Sequence, residues 1–283
     1  NGGSPEFLIV DFSTPTSPTT LGTVDIDGNA RQLAISGNYA YVASAGQELS
    51  TISISNPATP TVVDVYNAPG GANGNVIGVH NNHVFLVRAT SNQDEFVALS
   101  LTNPAAPSVV GTLNLGDTVN DIAFSGSYAF VATSANTGAL QVIDISNTAA
   151  PSVATTIDAT GNPTGLSVAL FDSTLLLGRN DGSVEIYDVS SPTAPSLLST
   201  YTAGGSINGI CFSADNTLAF LTSSNNSGEF EVIDISTPAS PTNVITIDST
   251  GNNTLNACAY ISASVSVVAV GNLNTAEVVV FAP

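Results

Sequence analysis

The sequence predicts an all-β fold, a β-propeller of six blades with four antiparallel strands each. Three observations lead to this prediction. Similar segments recur six times in the 283 residues, about 42 to 48 residues apart. Each repeat divides into four short strand-like runs, with turn residues between them. Such short strands cannot bury their apolar faces alone, so neighbouring repeats must stack, as the blades of a propeller do.

The four runs of a repeat are named strands a, b, c and d in chain order. In the third blade they are VNDIAFS from Val119, YAFVATS from Tyr128, ALQVIDIS from Ala139 and SVATTIDA from Ser152. The six most similar segments each span strands c and d, and they begin at Phe7, Leu49, Phe96, Leu140, Val184 and Phe230. A shorter seventh copy, VVVFAP from Val278, ends the sequence.

A Pro-rich corner joins strand c to strand d, for example Asn56-Pro57 with Pro60. Because Pro has no amide to donate to a ladder, these residues predict a fixed corner between the two strands. An Asp stands just before the corner in four copies, at Asp11, Asp144, Asp188 and Asp234. We predict that these carboxylates form Asx turns and not a catalytic ring, since Ser53 and Ser100 occupy the equivalent positions elsewhere.

The segment Leu8-Ile9-Val10-Asp11, with the variants VIDIS at Val142 and Val232, resembles the repeat of the LVIVD family. The resemblance covers the whole chain, although the second and third copies lack the Asp. It implies a β-propeller and, commonly, a prokaryotic extracellular or envelope location. It implies no reaction, because the family has no shared catalytic motif.

Ring closure is predicted from the strand count. We expect a single domain over residues 1–283, with blades starting near 30, 75, 119, 164, 207 and 255. Residues 7–26 form an additional c–d pair, and we predict that Thr19–Ile26 closes the propeller as the outer strand beside the C-terminal strand. One c-type strand is then surplus, either Phe7–Ser13 or Glu277–Ala282. Seven blades is the alternative.

The charge balance argues against partners with many negative charges. The net charge is −19, and the only basic residues besides two His are Arg31, Arg88 and Arg179. No basic surface can neutralise phosphates, so neither nucleic acid nor an anionic membrane surface is an expected partner. No apolar run is long enough to span a membrane. The abundance of Ser, Thr, Asn and Gly is typical of secreted proteins, so we expect an extracellular or cell-surface location.

One column of polar residues is a candidate ligand site at the mouth of the central channel. When the inner strands are aligned, it contains Arg31, Asn75, Asn120, Asn208 and Asn256, and the fourth blade departs with Leu166 or Thr164. Convergent amides and one guanidinium suit a carboxylate, a sugar or an ion. Alternatively, each Asn caps its own loop or holds channel water.

Metal binding has two candidate places. The loops between strands d and a combine acids with Gly, and Asp25 with Asp27 is the best candidate for Ca²⁺, although the same residues are ordinary turn formers. His80 and His83 form a pair suited to Zn²⁺ or Cu²⁺, but the sequence shows no third ligand. No other cofactor is predicted.

The two cysteines occupy complementary positions. Cys211 aligns with small residues of strand a and Cys258 with large ones, so they lie on opposite faces of neighbouring blades. We predict a disulfide if the blade handedness turns the two faces together, and two buried thiols if it does not. Asn225 and Asn252 begin N-glycosylation sequons.

The sequence contains no catalytic triad, phosphate loop or zinc motif. We therefore expect a non-catalytic structural protein, a self-associating subunit of a surface filament or layer, with contacts through the terminal strands. The alternative is an adhesion module that recognises a glycan or a surface protein at the channel mouth. An enzyme that uses loop carboxylates is the third hypothesis.

Overall fold

The computed structural model describes the chain except for residues 1–4, 12, 15–16, 69–71, 90–93, 136, 159–160, 162, 249–253, 263–264, 272–277 and 282–283. For the remaining residues between 261 and 281 it describes the backbone only. Within these limits the chain consists of 25 β-strands and contains no helix, as the sequence predicts.

The strands follow one another at short intervals. In chain order they are β1 (Phe7–Asp11), β2 (Thr19–Val24), β3 (Asn29–Ser36), β4 (Tyr39–Ala45), β5 (Leu49–Ser53), β6 (Thr61–Tyr66), β7 (Gly74–His80), β8 (His83–Arg88), β9 (Phe96–Ser100), β10 (Ser108–Leu113), β11 (Val119–Ser125), β12 (Tyr128–Thr133), β13 (Leu140–Asp144), β14 (Ser152–Ile157), β15 (Gly165–Phe171), β16 (Thr174–Arg179), β17 (Ser183–Asp188), β18 (Ser196–Thr202), β19 (Ile207–Phe212), β20 (Leu218–Ser223), β21 (Phe230–Asp234), β22 (Thr242–Ile247), β23 (Leu255–Ser262), β24 (Val265–Gly271) and β25 (Val278–Phe281).

These strands form six blade sheets and one additional pair. Five sheets have four strands hydrogen-bonded in chain order: β3–β6, β7–β10, β11–β14, β15–β18 and β19–β22. The sixth sheet contains β23, β24 and β25, and β1 pairs only with β2 among the described residues. The six blades begin within one residue of the predicted starts, so the predicted blade count is confirmed.

The pairing of the terminal strands is described in part. Among the described residues, β2 has one hydrogen-bonded neighbour, β1, and β25 has one, β24. The predicted closure by Thr19–Ile26 beside the C-terminal strand stays a prediction.

By its internal contacts the chain divides into two compact units, Asn1–Ile122 with Asp144–Val153, and Ala123–Ile143 with Ala154–Pro283. The prediction of one domain over residues 1–283 stays a prediction.

The core of the first unit lies between stacked sheets. One cluster joins Tyr41 and Leu49 of the first blade to Leu86 of the second. The Tyr41 hydroxyl also donates to the carbonyl oxygen of Pro104, at 2.9 Å, in the Pro-rich corner of the second blade. A second cluster packs Phe7 of β1 against the first blade. The β1–β2 pair thus covers the first blade as the outer half of another blade would.

The second unit repeats this arrangement. Apolar side chains from successive sheets meet in three clusters, which contain Phe130 with Leu177, Ile186 with Leu221, and Phe230 with Leu255. Because each blade contributes one face to each neighbour, alternate residues of the middle strands are buried in different clusters. This explains why β12, β16 and β20 are buried along most of their length.

Candidate functional site

The candidate ligand column lies near the start of the inner strands, and five of these six strands have a β-bulge there. In β3, Ala30 pairs with Ser44 and Gln32 with Ala43, so Arg31 has no partner in the ladder. The same register shift leaves out Asn75, Leu166, Asn208 and Asn256. Asn120 occupies the corresponding position of β11. A bulge adds one residue to a strand and redirects its side chain, which the sequence alignment alone did not reveal.

Three side chains of this column hydrogen-bond to the next inner strand. Asn75 Nδ2 donates to the carbonyl oxygen of Val119 at 2.7 Å, and Asn208 Nδ2 donates to that of Leu255 at 3.0 Å. Arg31 Nη1 donates to Asn75 Oδ1 at 2.7 Å. Arg31 and Asn75 are thus bonded to each other. The side-chain donors of Arg31, Asn75 and Asn208, which we expected to bind a ligand, bind acceptors within the protein. The column therefore connects neighbouring blades in both units.

We expect Asn208→Leu to lower the free energy of unfolding by about 1 kcal/mol, because the buried carbonyl group of Leu255 then loses its donor. Leu is a suitable replacement since Leu166 occupies the same bulge position in the fourth blade. Urea unfolding of both proteins measures the difference. Asn256→Leu is the matched control, because this side chain is exposed, and an equal loss in the control would contradict the assigned role.

A second repeated position, which sequence analysis missed, is the residue before strand c. It is Glu in four copies, Glu6, Glu48, Glu95 and Glu229. Glu95 Oε2 accepts the amide of Leu115 at 2.9 Å, and Glu6 Oε2 accepts the amide of Ile26 at 3.2 Å. Both amides lie two residues beyond the end of a d strand. These carboxylates therefore hold the loops between blades, and the recurrence of Glu was the available signal.

Two of the three arginines contact buried carboxylates. Arg179 Nη1 forms an ion pair with Glu185 Oε1, and both side chains are about 2% exposed. The Tyr187 hydroxyl donates to Glu185 Oε2 at 2.6 Å. In the first unit, Arg88 Nη1 lies 3.6 Å from Glu48 Oε1, where burial raises the pKa of Glu48 and the charge of Arg88 opposes that shift. With Arg31 bonded to Asn75, all three arginines have partners inside the protein.

The Asp residues before the corners form Asx turns, as predicted. The carboxylates of Asp11, Asp144, Asp188 and Asp234 each accept the amide two residues ahead at 2.8 Å. Hydrogen bonds from Ser146, Ser190 and Ser236 lower the pKa of Asp144, Asp188 and Asp234. At Ser100 the hydroxyl oxygen accepts the amide of Thr102 at 3.2 Å, so Ser takes the same role.

Asp25 and Asp27 lie beside a cavity of about 240 Å³ in the first unit. Its lining includes Asp25, Asp27, Gln47, Ser50, Val62 and Val65. Gln47 Nε2 donates to Asp27 Oδ2 at 3.1 Å. A hydrogen bond with Glu6 raises the pKa of Asp25 and lowers that of Glu6. Among the described residues, no group of three or more His, Cys, Asp or Glu side chains is placed to hold a metal ion.

The two histidines face each other across a hairpin, since His80 pairs with His83. His83 Nδ1 lies 2.8 Å from the carbonyl oxygen of Asn81, and its Nε2 lies 3.2 Å from Thr148 Oγ1. His80 Nε2 lies 2.9 Å from Asn81 Nδ2. Both rings are therefore held by hydrogen bonds, and the structure brings no third metal ligand to them among the described residues.

Cys211 and Cys258 form a disulfide between β19 and β23, with their Cα atoms 5.9 Å apart. Cys211 pairs with Phe220 in the ladder of the fifth blade, and Cys258 pairs with Ala269 in that of the sixth. The blade handedness thus turns the small-residue face of one inner strand toward the large-residue face of the next. Of the two alternatives drawn from the sequence, the structure has the disulfide.

The two sequons differ in what the structure describes. Asn225 lies in the turn between β20 and β21, where its Oδ1 accepts the amide of Ser227 at 3.2 Å. Asn252 lies outside the described residues.

No helix capable of crossing a membrane is present in the part of the chain that the structure describes.

Solved structures with a similar fold include a β-propeller domain. The β-propeller domain of Cps50 (Swd1) from Myceliophteria thermophila matches with a TM-score of 0.70 and 14% identity, over 94% of this chain and 86% of that chain. A functionally unknown protein from Desulfotomaculum acetoxidans DSM 771 matches with a TM-score of 0.71 and 14% identity, over 92% of this chain and 87% of that chain. The computationally designed Ika8 protein matches with a TM-score of 0.68 and 14% identity, over 93% of this chain and 74% of that chain. At this identity the similarity establishes the β-propeller fold alone.

No curated protein matches the sequence. The LVIVD repeat, by contrast, is found five times, at residues 3–26, 27–68, 116–159, 177–203 and 224–249, which together exceed half of the chain. The first match contains the β1–β2 pair, and the second contains all four strands of the first blade. With its repeats and its propeller fold, the chain belongs to the LVIVD repeat family.

Proposed function

We propose that this protein is a non-catalytic structural protein that associates with copies of itself through its terminal strands, outside the cell or on its surface. The observation that carries the proposal is that the edge strand β25 lacks the β-bulge found in outer strands of the other sheets.

Five outer strands of the other sheets carry a bulge that disfavours further pairing. One extra residue interrupts the ladder in β2, β6, β10, β18 and β22. The extra residues are Leu21, Val63, Val110, Leu198 and Val244, and all five are exposed. A bulge bends and twists an edge strand, which makes it a poor template for another chain.

The edge of β25 has no such bulge. Its four residues pair in continuous register with Val267–Val270 of β24, and no further strand lies beyond it among the described residues. At the other terminus, the edge of β1 away from β2 is also open in the described part of the chain, and Leu8 of β1 is 51% exposed. We infer that the open edge of β25 in one copy pairs with the open edge of β1 in the next. Such a contact is heterologous, so it propagates as a filament or layer.

The disulfide supports the extracellular part of the proposal. Structural disulfides persist in oxidising compartments and are rare in the reducing cytosol of most organisms, and this chain uses both of its cysteines in one. The engagement of all three arginines supports the proposal that nucleic acid is not a partner.

The alternative is an adhesion module for a glycan or a surface protein. It was based on the candidate ligand column of Arg31 and the Asn residues. Its donors at Arg31, Asn75 and Asn208 are bonded inside the protein. We therefore place this alternative second, and it takes the lead if the experiment below finds no self-association.

The proposal is tested by two N-terminal truncations. Deletion of residues 1–5 keeps β1, and deletion of residues 1–13 removes it. We expect large assemblies from the full chain and from the shorter truncation, and monomers from the longer one, by size-exclusion chromatography with light scattering. Circular dichroism verifies that each protein keeps its β-structure.

Point variants provide a test that keeps β1 in place. Leu8→Ser should raise the concentration needed for association by about tenfold or more, because it removes an apolar side chain from the contact. Leu21→Ser is the matched control, since Leu21 is 45% exposed but lies at the bulge of β2. Equal effects of the two substitutions, or none, would contradict pairing through β1.

A further inference from the structure

We propose that the cavity beside Asp25 and Asp27 is a Ca²⁺ site, in which Gln47 and Ser50 supply two further oxygen ligands. This inference does not rest on the proposed self-association. The sequence suggested only the carboxylates of Asp25 and Asp27 as ligands. The structure places the side chains of Gln47 and Ser50 beside the same cavity.

Two residues that line the cavity carry buried polar oxygen atoms without a hydrogen-bond partner among the described residues. Ser50 is 1% exposed, and its Oγ is one of these atoms. Gln47 Oε1 is the other. Burying such oxygen atoms without a partner is unfavourable. The cavity is therefore suited to a cation or to a hydrogen-bond donor, either of which would bind these atoms.

The orientation of the Gln47 side chain is fixed by Asp27. The amide nitrogen Nε2 donates to Asp27 Oδ2, and only this assignment of the two amide atoms gives a hydrogen bond, because two oxygen atoms would repel. The buried atom without a partner is therefore the oxygen, which is a ligand and not a donor.

The charge and size of the cavity favour a cation. The lining residues that the structure describes include two carboxylates and no Lys, Arg or His. A volume of about 240 Å³ accommodates an ion together with several waters, since a water takes about 30 Å³ in the liquid. Two carboxylates, one amide oxygen and one hydroxyl oxygen then provide four protein ligands, and waters complete the shell.

This set of ligands suits Ca²⁺ better than the other common cations. Ca²⁺ takes six to eight oxygen ligands in flexible geometry and accepts amide oxygens, whereas Mg²⁺ requires a near-ideal octahedron and keeps most of its waters. Zn²⁺ and Cu²⁺ prefer His nitrogen or Cys sulfur ligands, and neither residue is among the described residues of the lining. With only two charged ligands, we expect weak binding, with a Kd of about 0.1–1 mM, as in extracellular Ca²⁺ modules.

The test measures thermal unfolding of the full chain after treatment with EDTA and desalting. Addition of 10 mM CaCl₂ should raise the Tm by about 2–6 °C, because a ligand that binds the native state stabilises it by mass action. MgCl₂ at the same concentration, and NaCl at the same ionic strength, should raise it by less than half as much. Isothermal titration with CaCl₂ should give one site per chain.

Variants identify the site. Asp27→Asn and Ser50→Ala should each weaken Ca²⁺ binding by about tenfold or more and reduce the rise in Tm accordingly. Asp158→Asn is the control, since Asp158 directly follows a d strand as Asp25 does, is exposed and is not among the residues that line the cavity. The control should keep the full rise in Tm.

Three results would overturn the proposal: no rise in Tm with CaCl₂, an equal rise with MgCl₂, or a loss of the rise in Asp158→Asn as large as in Asp27→Asn. Ser50→Ala removes no charge and one buried hydroxyl group, so it remains informative if Asp27→Asn fails to fold. A full rise in Tm in Ser50→Ala would remove the hydroxyl from the site and contradict the proposed ligand set.

Discussion

Replacement of Cys211 by Ser should lower the free energy of unfolding by about 2–4 kcal/mol. The disulfide joins residues 47 positions apart, and opening a loop of this length returns considerable conformational entropy to the unfolded chain. The bond also joins the fifth blade to the sixth, whose sheet has three strands where the other blades have four. Urea unfolding of the oxidised protein and of the variant measures the loss.

The control for this prediction is the partner residue. Cys258→Ser and the double variant should show the same loss as Cys211→Ser, because each removes the same bond. Reductant should lower the stability of the original protein and leave the variants unchanged. Two titratable thiols in the unfolded, unreduced protein would show that the bond is not formed.

The second large effect is expected at the buried ion pair in the fourth blade. Arg179→Met should lower the free energy of unfolding by about 3–5 kcal/mol, because it leaves the carboxylate of Glu185 buried without its counterion. The Tyr187 hydroxyl still donates to this carboxylate, but one neutral donor does not replace a guanidinium. Equilibrium urea unfolding at neutral pH measures the change.

A double variant separates the charge from the packing. Arg179→Met with Glu185→Gln removes both charges and leaves an acceptor for Tyr187, so its loss should be smaller than that of Arg179→Met alone. If the losses of the two single variants simply add in the double variant, the two side chains are not coupled and the assigned ion pair is wrong.

The sequence predicted the blades well because the repeat constrains them strongly. The Pro-rich corners fixed the ends of strands c and d, and the apolar runs fixed the strands between them. The alignment also placed Cys211 and Cys258 on complementary faces of inner strands, and the blade handedness, which it left open, decides for the disulfide. In each of these cases the information is local or repeats with the blade period.

The candidate site was less predictable, because a β-bulge decides where its side chains point. Arg31 and Asn75 align in the sequence, but only the register shift shows that they leave the ladder and bond to each other. The pairing of the terminal strands was hard to predict for a different reason. Two c-type strands compete for one place in a blade, and the sequence does not say which partner each prefers. The cavity could not be predicted, since Gln47 and Ser50 carry no motif and meet Asp27 only through tertiary contacts.

The most direct test of the self-association claim is sedimentation velocity of the full chain over a hundredfold range of concentration. We predict that the weight-average mass rises steadily with concentration and passes the mass of a dimer without a plateau, since a heterologous contact does not close. Elongated particles should appear in electron micrographs of the same samples. A constant mass of one chain across the whole range would contradict assembly through β1 and β25.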